Sequence, residues 1–341
     1  MAAENSELTS QWERNLALEL VRVTEAAAIS AAHWMGRGDK EAVDQAAVDA
    51  MRRALDGVDM DGRVVIGEGE KDQAPMLYVG ERVGNGLPPQ VDVAVDPVDG
   101  TTLTALGRPG AIAVVAVADR GSMYAAPPGV YYMHKLVVSR AERDVIDINA
   151  PVAENLRRIA DARHTSVENV TVTVIDRPRH QQLIADLRAA RARIRSIPDG
   201  DVAAAIQAAS DGEDVNVLMG IGGAPEAVLA AAAIRCLGGA IQCKISARTE
   251  EERARLRSDG IDLDRVYTAH DLVRGENIAF AATGVTGGEW LRGVRFHHDG
   301  PLTNSVMMRS RSGTVRFIEA HHRHYAHHAR TEAIGNQLGY A

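Results

Sequence analysis

Val91-Asp92-Val93-Ala94-Val95-Asp96-Pro97-Val98-Asp99-Gly100-Thr101-Thr102 is the stretch that decides the fold. Val91 to Asp96 reads as a strand, and it runs into a turn in which Pro97 fixes one φ angle and Gly100 permits another. Asp96 and Asp99 are thereby held together at a strand end. Ionised carboxylates repel one another, so a cation between them explains the arrangement. Hard oxygen donors suit Mg²⁺ or Mn²⁺. The other reading is a surface turn rich in Asp and Gly. Thr101 and Thr102 favour the first, because hydroxyls and free N–H groups at a helix start can hold a phosphate or a water.

Upstream, the apolar strand ending Val64-Val65-Ile66 leads into Gly67-Glu68-Gly69-Glu70-Lys71-Asp72, a second carboxylate loop or a solvated hairpin tip. Asp39 and Asp44 follow Gly36-Arg37-Gly38 in a third loop, where Asp44 is a further ligand candidate or the cap of a helix over residues 44–55. Another helix is predicted from Leu16 to Met35, and strands from Ala111 to Ala118 and Tyr131 to Ser139. After Asn149-Ala150-Pro151 strands and helices alternate, which predicts an α/β unit. The expected domains are 1–150, a metal-binding α+β unit, and 151–341, an α/β unit with phosphate and sugar contacts and a histidine-rich tail from about residue 321.

In the second half, Arg177-Pro178-Arg179-His180 lies between a strand and a helix, and two forked guanidiniums suit bidentate phosphate recognition. Asp199-Gly200-Asp201 occupies a similar turn, where an aspartate caps the helix or accepts sugar hydroxyls. Gly220-Ile221-Gly222-Gly223-Ala224-Pro225-Glu226 reads as a glycine-rich loop opening a helix, with backbone N–H groups for an anion and Glu226 as a metal ligand or a favourable charge at the helix N-terminus. A dinucleotide fingerprint is excluded, since no acidic residue ends the next strand, Ala240 to Lys244.

With 341 residues, 45% hydrophobic and net charge -8, the chain has ample core and no broad basic face for nucleic acid. No apolar run spans a bilayer and no secretory signal is read at the start, so no membrane partner and a cytoplasmic location are expected. Cys236 and Cys243 fit neither a metal pair nor a disulfide framework.

Gly36 to Lys40, Ile66 to Glu70, Asp96 to Thr101, Arg177 to His180, Pro198 to Asp201 and Gly220 to Glu226, in this order, resemble the motifs of class II fructose-1,6-bisphosphatases. The resemblance implies the two-domain layered α-β-α-β-α sandwich of the lithium-sensitive sugar phosphatases and self-association as a dimer or tetramer. By motif position, Asp44 and Glu68 would hold one divalent ion, and Asp96, Asp99 and Glu226 a second. Asp99, Gly100, Thr101, Tyr132, Arg177, Pro178, Arg179, Asp199, Gly200, Asp201 and Gly223 would contact a sugar bisphosphate. Gln45 stands where many members have Gly. The expected reaction is removal of the 1-phosphate of fructose 1,6-bisphosphate by metal-activated water, with Thr101 orienting the water and Asp72 or Glu70 relaying its proton. The alternatives are a sedoheptulose-1,7-bisphosphatase, an inositol monophosphatase-like enzyme and a non-catalytic sensor of sugar phosphates.

Overall fold

The computed structural model describes residues 2–69, 76–212 and 214–323, with side chains from residue 15 onward. The chain begins with α1 (Ala2–Ala32), α2 (Lys40–Asp56), β1 (Asp61–Ile66), β2 (Arg82–Val83), β3 (Gln90–Asp99), α3 (Thr101–Ala105) and β4 (Ile112–Asp119). It then builds a second unit from β5 (Tyr132–Val138), α4 (Val152–Ala162), β6 (Thr171–Ile175), α5 (Gln181–Ala189), β7 (Arg193–Ile197), α6 (Asp201–Ala209), β8 (Val217–Gly223), α7 (Ala224–Leu237), β9 (Ala240–Ser246), α8 (Glu250–Ser258), β10 (Tyr267–Thr268) and α9 (Ala269–Leu272). β11 (Ile278–Gly284), β12 (Arg295–His297), β13 (Gly300–Arg309) and β14 (Thr314–His321) return to the first unit.

Among the described residues the first sheet has the order β12-β13-β11-β4-β3-β1-β2, with β14 also on β13, and the second β10-β9-β5-β8-β6-β7. The change of sequence pattern at residue 150 does not coincide with the change of sheet. That change comes between β4 and β5, and β11 rejoins β4 in antiparallel register from Ile278↔Ala118 to Gly284↔Ile112.

Strand alternation stacks the layers. In β4, Ala113, Val115 and Val117 face a core shared with α1 and α2, whereas Ile112, Val114, Ala116 and Ala118 face one shared with α6, α7 and the second sheet. Leu136 and Val138 of β5 turn to the far side, against Leu156 and Ile159 of α4 and Leu187 of α5. Helices, sheet, helices, sheet, helices result, as expected. The central helix α7 is buried nearly all round, and its run Ala230-Ala231-Ala232-Ala233 lets it lie between two sheets.

One polar seam crosses the first core. Thr283 of β11 sits 2.7 Å from Thr24 of α1 and 2.8 Å from Ser305 of β13, hydroxyl to hydroxyl, all buried. Thr283→Val removes the shared partner of two buried hydroxyls and is expected to lower stability by about 1–3 kcal/mol in urea unfolding.

Candidate active site

Residues 96–99, expected as a turn, are the end of β3. The pairing with β4 slips between Asp96 (opposite Val114) and Asp99 (opposite Ile112), a bulge at which the missing N–H of Pro97 is tolerated. Asp96 Oδ1 accepts from Val98 N at 3.0 Å. Gly100 takes the left-handed conformation (φ 96°) and Thr101 opens α3, its Oγ1 donating to Val98 O at 3.1 Å. That bond uses the hydroxyl proton and leaves the lone pairs to accept.

The turn after α1 is tied to α3, with Gly36 N donating to Thr104 O at 2.9 Å and Gly38 N to Ala105 O at 2.8 Å. Asp39 then caps α2, its carboxylate accepting from Ala42 N at 2.9 Å. Asp44 therefore lies inside the helix rather than at its start. It is neither loop nor cap, and burial holds its carboxyl above the usual range. Glu68 follows β1. Glu70 and Asp72 lie outside the described residues.

The second sheet brings its strand ends to the same place. The expected glycine loop 220–223 is the last part of β8, in register with β5 from Lys135↔Gly220 to Tyr132↔Gly223. Its glycines make room for the charged side chains beside them. A Cβ at 222 would lie 1.8 Å from Asp201 Oδ2 and 2.9 Å from Lys135 Nζ, and one at 223 would lie 1.9 Å from Glu226 Oε2. Lys135, which sequence reasoning did not single out, is 3% exposed and bonds Asp201 Oδ2 at 2.6 Å. The signal available was a lysine inside an apolar strand. Burial opposes its charge, but Asp201 and Glu226 outweigh burial and keep its pKa above the ordinary lysine value.

Neither Asp199 nor Asp201 caps α6. Asp99, at the end of β3, accepts from Val202 N at the start of α6 at 3.3 Å, while Asp199 meets Arg177 at 3.4 Å. Arg179 donates to Ile221 O at 2.8 Å through Nη2 and lies 5.3 Å over the Tyr132 ring. Buried His180 joins the segments, with Nδ1 2.6 Å from Ile175 O and Nε2 2.7 Å from Ile221 N. Those partners require a neutral ring protonated on Nδ1, and burial lowers its pKa accordingly. Pro178 opens the short 3₁₀ turn between Arg177 and His180.

The carboxylates form a chain of electrostatic neighbours. Burial raises Asp96 and Asp99 well above the aspartate range, with Asp99 and Glu68 adding for Asp96 and Asp201 and Glu226 for Asp99. Glu68 is pushed up to about 7 by burial, then by Asp44 and Glu226. Glu226 is raised by burial against the pull of Lys135. Among the described residues no three such side chains are already gathered into one ligand sphere. They nevertheless fit a divalent cation. The donors are all oxygen, like charges are buried together, and Glu226 Oε2 is buried with no hydrogen-bond partner.

Asp99, Tyr132, Arg177, Arg179, Asp199, Gly200, Asp201, Gly223 and Glu226 line one cavity of about 430 Å³. A second, about 410 Å³, touches it at Asp199 and Gly200 but holds neither Asp99 nor Glu226. The first cavity is the one that brings Asp99, Asp201 and Glu226 together with Arg177 and Arg179. Gly100, Thr101, Pro178, Asp44, Glu68 and Asp96 are not among its walls, although the last two are electrostatic neighbours of Glu226.

Compared with known families, residues 14–322 match bacterial fructose-1,6-bisphosphatase, glpX-encoded. The chain belongs to this family. It is 44% identical over 335 residues to the D-fructose 1,6-bisphosphatase class 2/sedoheptulose 1,7-bisphosphatase of Crocosphaera subtropica, spanning 91% of this chain and 96% of that protein. The proteins of the same description from Microcystis aeruginosa and Nostoc sp. are equally similar, 44% over 335 residues. Membership in the glpX-encoded bisphosphatase family makes the chain a phosphatase of the hydrolase class and implies a divalent metal cofactor. Among the described residues no helix is long and apolar enough to cross a membrane.

Two predictions concern the metal-free protein. Glu68 has a folded pKa of about 7 against an ordinary 4.5, so the folded state binds the extra proton between them. Stability is therefore full below about 4.5 and falls as pH rises through about 7. Melting temperatures measured in chelator across this range should decline, and Mn²⁺ should restore most at the alkaline end. Lys135→Met leaves Asp201 buried without its partner and should cost about 3–5 kcal/mol by urea unfolding. Adding Asp201→Asn should recover part of that loss.

Proposed function

We propose that the chain hydrolyses the 1-phosphate of fructose 1,6-bisphosphate, giving fructose 6-phosphate and phosphate, in the cavity between the ends of β3 and β8. The observation that carries the reading is the meeting there of a buried carboxylate group with two arginines. One side attracts cations and the other an anion. Asp44 and Glu68 would hold one divalent ion, and Asp96, Asp99 and Glu226 another. The all-oxygen donor set favours Mg²⁺ or Mn²⁺. Such ions neutralise phosphoryl oxygens and lower the pKa of water.

The chain's own groups do the rest. The open lone pairs of Thr101 orient the attacking water, and Asp72 or Glu70 takes its proton. Gly100 and Gly223 let backbone approach the substrate. Arg177 and Arg179 anchor the phosphate that stays, Pro178 fixes the turn between them, Tyr132 gives that end a wall, and Asp199, Gly200 and Asp201 meet the sugar hydroxyls. The relatives' descriptions also favour sedoheptulose 1,7-bisphosphate as a second substrate. Lithium inhibition, a dimer or tetramer and a cytoplasmic location belong to the same proposal.

Phosphate release from fructose 1,6-bisphosphate should stop in chelator and return with Mg²⁺ or Mn²⁺. Asp99→Asn keeps an oxygen for Val202 N, so the fold should survive while kcat/KM falls at least ~10²-fold. Near-normal turnover by this variant would refute the metal assignment, and absence of wild-type turnover on both bisphosphates would refute the reaction.

A further inference from the structure

Beside the cavity stands an arginine that no motif carries. Register places Ser246 of β9 and Gly223 of β8 on either side of Tyr132 at the start of β5, so three strand ends share one rim. Arg248 lies two residues past Ser246, where the chain turns into α8. Its guanidinium carbon is 4.8 Å from the centre of the Tyr131 ring and 6.0 Å from that of Tyr132. Tyr131 and Tyr132 both line the cavity, and Tyr132 carries Arg179 at 5.3 Å as well. The two aromatic rings are thus a platform with cations over them.

The position of Arg248 is built. Thr249 caps α8 by accepting from Glu252 N at 3.1 Å, which fixes Glu252. Glu252 in turn accepts from Arg248 N at 2.7 Å, from Nε at 3.2 Å and from Nη2 at 3.4 Å. Nη1 has no hydrogen-bond partner among the described residues, and the side chain is 58% exposed. A guanidinium held on one edge and open on the other is prepared to receive an oxyanion. The two other arginines of the rim are also partly engaged. Arg177 is paired with Asp199, and Arg179 spends Nε and Nη2 on Ile221 O.

We propose that Arg248, seated on Tyr131 and Tyr132, is a third arginine at the rim of the cavity that receives the phosphate remote from the bond being cleaved, a specificity residue for bisphosphates over monophosphates. The inference rests on the phosphatase reading above. Hydrolysis of fructose 1,6-bisphosphate by the unmodified protein tests that reading by itself.

The test of Arg248 compares two monophosphates as competitors of bisphosphate turnover. Fructose 6-phosphate carries only the remote phosphate and fructose 1-phosphate only the one to be removed. In Arg248→Gln, KM for the bisphosphate and the inhibition constant of fructose 6-phosphate should rise about 10–100-fold, the loss of a charge-assisted hydrogen bond. The constant for fructose 1-phosphate and kcat should stay within about threefold. Arg248→Lys, which keeps the charge without the fork, should fall between. Equal weakening of both monophosphates, or an unchanged KM, would overturn the proposal. A merely structural Arg248 would instead lower the melting temperature and weaken both alike.

Discussion

Carboxylates buried together are the constraint on which the site depends. Asp96, Asp99, Glu68 and Glu226 are all held above their ordinary pKa, first by burial and then by neighbouring carboxylates, Asp201 among them. Such a group would drive the strand ends apart if nothing opposed it. On the side of the second sheet the opposing charge is Lys135, whose bond to Asp201 needs the space left by Gly222. On the side of Asp44 and Glu68 no cation contributes to either shift.

The rest of the fold serves this meeting. The long core helix α7 carries Glu226 in its first turn, and α6 begins beside Asp99, which accepts from Val202 N. The turn after α1 is pinned to α3, so Asp44 enters from the outer helix layer. Loops alone would place these groups loosely. Strand ends and helix starts fix them within packed layers.

Much of this was legible in the sequence. An aspartate pair closing an apolar strand is a local signal, and so are the arginines of residues 177–179 and the Asp199–Asp201 turn. The errors came where local letters admit two structures. Glycines at 220–223 look alike in a phosphate loop and in a strand that must clear Asp201 and Glu226, and only the pairing with β5 distinguishes them. Asp44 reads as a plausible cap of α2 until the bond to Ala42 N gives that place to Asp39. Lys135 has no motif, and its meaning lies in a partner 66 residues away. The return of β11 to β4 is likewise non-local, across strands separated by the whole second sheet.

The most direct measurement is a calorimetric titration of Mn²⁺ into chelator-treated protein near neutral pH, repeated in buffers of different ionisation enthalpy to count protons. A cluster held partly protonated by burial and mutual repulsion must release protons as the ion binds. The account predicts saturable heat with net proton release, both reduced in Glu226→Gln. Saturable binding that releases no proton, or that survives Glu226→Gln unchanged, would contradict it.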